Sequence, residues 1–539
     1  MDDATNQTTE LDALVIGAGF AGLYQLYCLR DRLGLSVQAL EAGGGVGGTW
    51  YWNRYPGARC DSESHAYWFT FDQDLMREWE WTERYPQQPE IMRYLNFVAD
   101  RFDLKRSIRF NTRVTEAHYD EAANRWLVRT EAGERYSTQF LVTAVGCLST
   151  ANVPKFAGLE NFKGQWYHTG QWPHEGVDFT GKRVGMIGTG STGIQAAPVI
   201  AQTAAHLTVF QRTANYSVPA RNVPLTPEFK RWIKENTQGI RTLTQETRNG
   251  LPFLIETRKA LETPPEEREK IFEAAWERGG LQFRAVFEDL MATKEANDTA
   301  ADFIKRKIRQ MVKDPATAAI LSDIDHPYAG KRPPIDTDYF ETYNRPNVKL
   351  VDVKAAPIQE ITPDGIRTAD AEYPLDIIVF ATGFDAMTGP MLAMGIRGRD
   401  GVALRDVWKA GPRNYLGLQV AGFPNLFTIT GPGSPSVLCN MPVAIEQHAE
   451  WIANCIKHLR DNGLDRIEPK PEAVDRWMQE VNDAASVTLL PTVKHSWYLG
   501  GNVPGKPKVF MPYAGGMARY REICNDVVAR GYDGFVLSA

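Results

Sequence analysis

Short, unbroken apolar runs recur along the chain, each closed by glycines or other small residues. The first, "LDALVIGAGFAGLY", has the continuous hydrophobicity of a strand buried on both faces and ends in G-x-G-x-x-G at Gly17, Gly19 and Gly22. A helical pattern, "LYQLYCLRDRLG", follows, and then a second strand, "SVQALE", that ends at Glu41. The same order returns in "KRVGMIGTGSTGIQAAPVIAQTAAHLTVFQRT", with glycines at Gly188, Gly190 and Gly193. In this setting the first glycine makes the turn, the second lets a pyrophosphate approach the backbone, and the third lets the helix pack on the strand. The helix N-terminus offers its unpaired N–H groups to the phosphates. The pattern predicts an α/β fold with two Rossmann-like dinucleotide-binding domains.

Elsewhere the pattern is more broken. "TQFLVTAVGCLS" (138–149), "YPLDIIVFATGFDA" (373–386) and "FPNLFTITGPGSPS" read as strands running into small-residue turns, and "MPVAIEQHAEWIANCIKHLRDNG" as an amphipathic helix. Between 223 and 328 charged helical periodicity takes over. "TPPEEREKIFEAAWERGG" predicts a capping box of Thr263 with Glu266, and "ANDTAADFIKRKIRQMVKDP" a second helix ended by Asp314-Pro315. The expected organisation is a discontinuous FAD-binding domain (1–147 and 385–539), an NADP-binding domain (148–222 and 329–384) and a helical insertion in the NADP domain (223–328). One stretch, "FKGQWYHTGQWP", is neither a clear strand nor a clear helix.

Composition narrows the function. At 539 residues the chain should hold two or three domains. A net charge of -6 without a basic run argues against a nucleic-acid partner. No apolar run reaches the roughly 18 residues that span a bilayer. The start, "MDDATNQTTE", is not the pattern of a signal or transit peptide. Six scattered cysteines suggest neither a metal site nor a disulfide framework, so no metal is expected and the reading is a cytoplasmic enzyme. The oligomeric state stays open, with a monomer compatible.

The two turns differ where it matters chemically. Glu41 lies 24 residues after Gly17, and the residue 24 after Gly188 is Arg212. A carboxylate there suits a free ribose 2′-hydroxyl, whereas a guanidinium suits a 2′-phosphate. Beyond the first turn, "GGGVGGTWYWNRYPGARCD" sets Gly47 and Gly48 before Trp50, Tyr51 and Trp52, flat walls of the kind an isoalloxazine ring needs. FAD at the first site and NADPH at the second is the economical assignment. Such a pair could serve a redox disulfide, for which the C-x-x-C is lacking, simple NADPH oxidation, or oxygen activation.

"FKGQWYHTGQWP" carries F-x-G-x-x-x-H-x-x-x-W-P in full, at Phe162, Gly164, His168, Trp172 and Pro173. With "GGTWYWNRYPGARCDSES", "GKRPPIDTDYFETYNRPN", "FATGFDAMTG" and "SWYLGGNVPGKP", the chain resembles type I Baeyer–Villiger monooxygenases over nearly its whole length. "GPGSPSVLCNM" and "WTERYPQQPEI" look nearer to phenylacetone and steroid monooxygenases within that family. The resemblance implies that NADPH reduces FAD, that O2 forms a C4a-peroxyflavin, and that a ketone leaves as an ester or lactone, with sulfide oxidation as a side activity. It implies a catalytic Arg332, held in place by Asp61. It implies FAD contacts from Gly17, Gly19, Phe20, Ala21, Gly22, Glu41, Gly48, Thr49, Trp50, Trp52, Asp61, Tyr67, Val114 and Met441. NADP contacts would come from Arg59, Cys60, Asp61, Gly188, Thr189, Gly190, Ser191, Thr192, Gly193, Gln195, Arg212, Thr213, Lys331, Arg332 and Trp497. Ser436 and Val437 would sit near the substrate, and the signature residues would couple cofactor occupancy to domain position. An N- or S-oxidising flavin monooxygenase and a non-catalytic dinucleotide sensor are the alternatives.

Overall fold

The computed structural model describes residues 7–539; the first six, part of the acidic, polar start of the chain, lie outside it. Two sheets organise the described residues. In the first, β1 (Thr8–Ile16) leads through the glycine turn into α1 (Phe20–Tyr27) and on to β2 (Val37–Leu40), which lies parallel beside β1. On its other side β1 pairs in parallel with β3 (Arg135–Thr143), from Thr8 opposite Arg135 to Ile16 opposite Thr143. The start of β3 also takes Arg125–Thr130 as an antiparallel neighbour.

The second sheet is wholly parallel and holds β4 (Gln165–His168), β5 (Arg183–Ile187), β6 (His206–Gln211), β7 (Val348–Asp352) and β8 (Ile377–Phe380), in the spatial order β7, β6, β5, β8, β4. Its glycine turn joins β5 to α2 (Ser191–Thr203), which precedes β6. Val184, Met186 and Val379 are fully buried against helices on one face, and Ile378 is fully buried against the small antiparallel sheet of Ile358–Thr362 and Gly365–Thr368 on the other. The chain then returns to the first sheet: β9 (Leu426–Thr428) pairs in parallel with the end of β3, and α3 (Met441–Asp461) packs along α1.

"FKGQWYHTGQWP" is therefore structured. Gln165–His168 is the edge strand β4, in register from Gln165 opposite Ile377 to His168 opposite Phe380, and a 3-10 turn follows at Thr169–Gln171. Two connections between the sheets run side by side: Asn152 N–H donates to Gly383 at 2.9 Å and Asp385 N–H to Thr150 at 2.9 Å.

The stretch 223–328 is helical, but it serves two cores. Helices Pro227–Glu235 and Thr237–Glu246 place Ile233 and Ile240 in the core of the first sheet, whereas Phe272, Trp276, Phe303 and Ile304 join that of the second. Two expected helix ends are corrected. Thr263 does not form a capping box: Pro264 and Pro265 occupy the helix start, and the Thr263 hydroxyl donates back to the Lys259 carbonyl at 2.8 Å. Asp314-Pro315 opens a helix instead of ending one. Lys294–Met311 stops earlier, and the Asp314 carboxylate accepts the Thr317 N–H at 2.8 Å to cap Pro315–Ser322.

Candidate active site

The first turn is sealed by its own neighbours. Gly17 has φ +106°, a left-handed conformation only glycine adopts readily, and a Cβ on Gly22 would stand 1.8 Å from the Gly17 carbonyl oxygen. Gly48, also left-handed at φ +53°, packs on Gly19, where a side chain on either would collide with the other's Cα. The Glu41 carboxylate is buried and accepts two backbone N–H bonds, from Ala18 at 2.8 Å and Gly43 at 2.7 Å. Burial pushes its carboxyl above the ordinary carboxylate range, against the pull of those bonds. α1 has no side-chain cap and no acid in its first turn, which leaves its leading N–H groups for an anion.

Aromatic residues gather beside this turn. Thr49 to Trp52 form one helical turn, and the Trp50 indole donates to the Tyr67 hydroxyl at 3.0 Å while the Tyr67 ring meets Phe20 edge-on at 5.2 Å. Tyr51 packs instead on Gly43, Gly45 and Gly47, and Trp52 against Tyr51. Ala21 is buried in α1, Val114 is buried at the start of the strand Val114–Asp120, and Met441 begins α3. These residues fit a flat ring and a pyrophosphate: a glycine cradle, free N–H groups, a buried ribose-facing acid and aromatic walls.

The second turn repeats the cradle and leaves out the seal. Gly188 has φ +116°, and a Cβ on Gly193 would lie 2.3 Å from the Gly188 carbonyl oxygen, yet nothing lies within 4 Å of one on Gly190. α2 also lacks a side-chain cap and an acidic first turn; Ser191 and Thr192 begin it. The Thr189 hydroxyl donates to the Thr213 carbonyl at 2.8 Å and ties the turn to the end of β6. Next to Thr213, Arg212 is exposed, lines a cleft with Asp323, Asp325 and Lys354, and forms no ion pair among the described residues. Lys331 stands near it. Burial pushes the Lys331 amine down; Asp325 opposes this and Arg212 adds to it. Two adjacent cations, one of them without a carboxylate partner, fit a phosphate.

The two halves meet at a cross-link and a charge pair. Gln195, on α2, accepts the Tyr55 hydroxyl at 2.8 Å and donates to the Arg59 carbonyl at 3.1 Å, and a Cβ on Gly57 would lie 2.4 Å from its backbone oxygen. Arg59 itself pairs with Glu83 at 3.6 Å. Next in sequence, the Cys60 thiol is buried and pushed up by burial, and Asp61 receives Arg332 as a two-pronged partner, Nε to Oδ2 at 2.6 Å and Nη2 to Oδ1 at 2.7 Å. The third arm of Arg332, Nη1, donates to the Val437 carbonyl at 2.8 Å. Burial alone would lower the guanidinium's pKa, but Asp61 outweighs it and the net shift is upward, so the group is permanently charged.

Arg332 faces a pocket walled by Ser62, Leu251, Phe253, Arg284, Val437 and Tyr498, among others. Ser436 lies behind this wall, its hydroxyl donating to the Thr430 carbonyl, and the Trp497 ring meets that of Tyr498 at a tilt, centroids 4.5 Å apart. Sequence reasoning missed Tyr55, Tyr498 and Arg284. Tyr498 adjoins a residue that was singled out; for Tyr55 and Arg284 no local pattern marks the role.

The signature sits at the crossing between sheets. His168 is buried; its Nδ1 accepts the Gly170 N–H at 3.0 Å, its Nε2 has no hydrogen-bond partner among the described residues, and burial pushes its pKa down to about 4. Its ring meets Phe384 edge-on at 6.0 Å. Trp172 is buried against Tyr167 and Phe179, and Pro173 follows it. Phe162 packs on the core beneath β8, and a Cβ on Gly164 would lie 2.4 Å from the Asp376 carbonyl oxygen.

Two nucleotide turns beside a buried Arg332–Asp61 pair are the features of a class, the two-dinucleotide flavin monooxygenases, and residues 12–222 match the family model described as "Flavin-binding monooxygenase-like". A protein named Baeyer-Villiger monooxygenase from Pseudooceanicola batsensis is 47% identical over 98% of this chain and 96% of its own length. Phenazine N-monooxygenase PhzNO1 from Lysobacter antibioticus is 43% identical over 99% and 98%. A solved structure of oxidised steroid monooxygenase bound to NADP superposes with a TM-score of 0.94 at 51% identity, over 98% of this chain and 100% of that one. The chain belongs to the Baeyer–Villiger monooxygenase family. Among the described residues no helix is long and apolar enough to cross a membrane, and no cluster of His, Cys, Asp and Glu could hold a metal ion.

Proposed function

We propose that this protein uses FAD, NADPH and O2 to convert ketones into esters or lactones, one oxygen atom entering the product and the other leaving as water. The single observation that carries this reading is Arg332: a permanently charged guanidinium, fixed by Asp61 and by Val437, that lines a pocket. FAD, held by the first turn and its aromatic neighbours, would supply the redox and oxygen chemistry. NADP would take the second turn, with Arg212 and Lys331 at its 2′-phosphate.

The chain's own residues supply the electrostatics. Arg332 stabilises negative charge that develops on the substrate oxygen when the carbonyl is attacked, a task that needs a donor already in place. Asp61 is its positioning residue, since two hydrogen bonds fix the plane of the fork. Six buried, unpaired cysteines suit a reducing, cytoplasmic setting. The FAD and NADP domains set out from the sequence are proposed with the function, with the helical insertion at 223–328 shared between their two cores. His168 and Trp172-Pro173, at the crossing between sheets, would couple cofactor occupancy to domain position.

Incubating FAD-loaded protein with NADPH and a panel of ketones, with products identified by mass spectrometry, tests the reading. Esters or lactones are expected, and Arg332→Ala should lower their yield by about a thousandfold or more, the scale of losing a transition-state donor, while NADPH still bleaches the flavin. Alcohols, or hydrogen peroxide alone, would contradict it. Adding heteroaromatic amines to the panel tests N-oxidation, which the phenazine-oxidising relative makes the second reading.

A further inference from the structure

The cavity before Arg332 holds more positive charge than the proposed reaction uses. Its walls contain two arginines, Arg332 and Arg284, and neither Asp nor Glu. The Asp61 carboxylate is committed to Arg332. Arg284 has no ion pair and no side-chain hydrogen bond among the described residues. The titratable groups that act on it are the hydroxyls of Tyr328 and Tyr498 and two more arginines, Arg248 and Arg332, and the uncharged Ser62, Asn249 and Asn440 share its pocket wall. Arg284 is half-buried, and a guanidinium drawn partly out of water without a carboxylate partner is uncommon, because the lost hydration must be replaced. Burial accordingly lowers the Arg284 pKa.

The backbone holds this side chain firmly in place. Arg284 lies in a 3-10 turn, Leu281–Ala285, anchored at both ends: Gly280 N–H donates to Pro219 at 2.9 Å and Glu256 N–H to the Ala285 carbonyl at 2.8 Å. Beside it Phe283 is fully buried among Phe272, Phe303 and Tyr328, ring centroids 5.4 to 5.8 Å apart. The turn cannot swing away to hydrate the guanidinium without opening that core. Part of the wall, Leu251, Phe253, Ile255, Leu281 and Leu438, is apolar and suits a carbon chain.

We infer that the cavity takes a ketone that also carries a carboxylate, and that Arg284 is the residue that receives it. This rests on the ketone-oxygenation reading and names its substrate class. The carbonyl goes to Arg332, the carboxylate to the Arg284 fork, and the apolar wall spans the chain between them. A keto acid thereby brings the counter-charge that the cavity lacks.

The test uses FAD- and NADP+-loaded protein and a homologous series of keto acids starting at levulinate, each beside its methyl ester. Calorimetric titration should show at least one acid binding tighter than its ester by about tenfold or more, as charge-assisted bonding predicts. Arg284→Met should bring that ratio to one, while Arg284→Lys keeps part of it. Esters that bind as well as acids across the series would overturn the inference, as would an Arg284→Met protein that keeps the ratio. Turnover separates the two readings: acids bound through Arg284 that yield no oxygenated product would refute the oxygenation reading alone.

Discussion

The two nucleotide turns share one design and differ in closure. Each has a left-handed first glycine and a third glycine pressed on the first. At the first turn, Gly47 and Gly48 close over Gly19, and the acid at the strand end is buried under two backbone bonds. At the second, Gly190 faces open space and the arginine at the strand end is exposed. An enclosed site suits a cofactor that stays for many turnovers, and an open one suits a cofactor that arrives reduced and leaves oxidised. The difference lies in the flanking segments; the strand-glycine-helix unit is the same in both.

Substitutions can break this comparison. The largest effect is expected at Gly22→Ala: its Cβ would overlap the Gly17 carbonyl oxygen at 1.8 Å, so the turn cannot close. Purified protein should carry essentially no FAD, read from its absorbance; full FAD content would refute the packing argument. Next, Arg212→Ala should cut kcat/KM for NADPH by about a hundredfold and leave NADH nearly unaffected, as loss of a charge-assisted fork implies. Steady-state kinetics with both nucleotides check this, and an equal loss with both would remove Arg212 from the 2′-phosphate site. Gly190→Ala sharpens the contrast with Gly22→Ala. Its methyl group meets no protein atom, so the melting temperature should hold while the KM for NADPH rises by about tenfold, because only the pyrophosphate needs that space. A drop in melting temperature would show that the second turn is closed after all.

The smallest effect concerns buried acids, one beside each turn's sheet. Glu446 in α3 accepts hydrogen bonds from Thr70 and Phe71, and Asp336 accepts one from Ser217 at 2.6 Å; burial pushes both carboxyls up to about 7. A raised folded-state pKa contributes stability that is fully present below the unfolded value, 4.5 for Glu446, and is lost as pH rises through about 7. Glu446→Gln should therefore match the wild type at the acidic end and melt a few degrees higher by about pH 8, a gap of at most about 3 kcal/mol. Calorimetry across that range decides it; a gap independent of pH would contradict the assignment.

What the sequence revealed follows from how local each signal is. The glycine turns, and the Glu41 and Arg212 that distinguish them, are local, so strand, turn and the residue at the strand's end could be read in order. β4 could not, because Gln165–His168 becomes a strand only by pairing with β8, far along the chain. The capping box failed for a local reason of a different kind: Pro264 and Pro265 take the first positions of the helix and displace Thr263 from its start. Arg332 and Asp61 are separated by 271 residues, and family resemblance, not spacing, brought them together before their contact was seen. Arg284 was invisible, since an arginine within an apolar stretch reads alike whether it meets solvent or walls a cavity.

The central claim is that the site between these turns puts an oxygen atom from O2 into a ketone. Turnover of a ketone under isotopically labelled oxygen gas, followed by mass spectrometry of the ester, tests it most directly. The account predicts one labelled atom per ester molecule in the wild type and none above background with Arg332→Ala. Unlabelled ester, or labelled hydrogen peroxide as the sole oxygenated product, would contradict it.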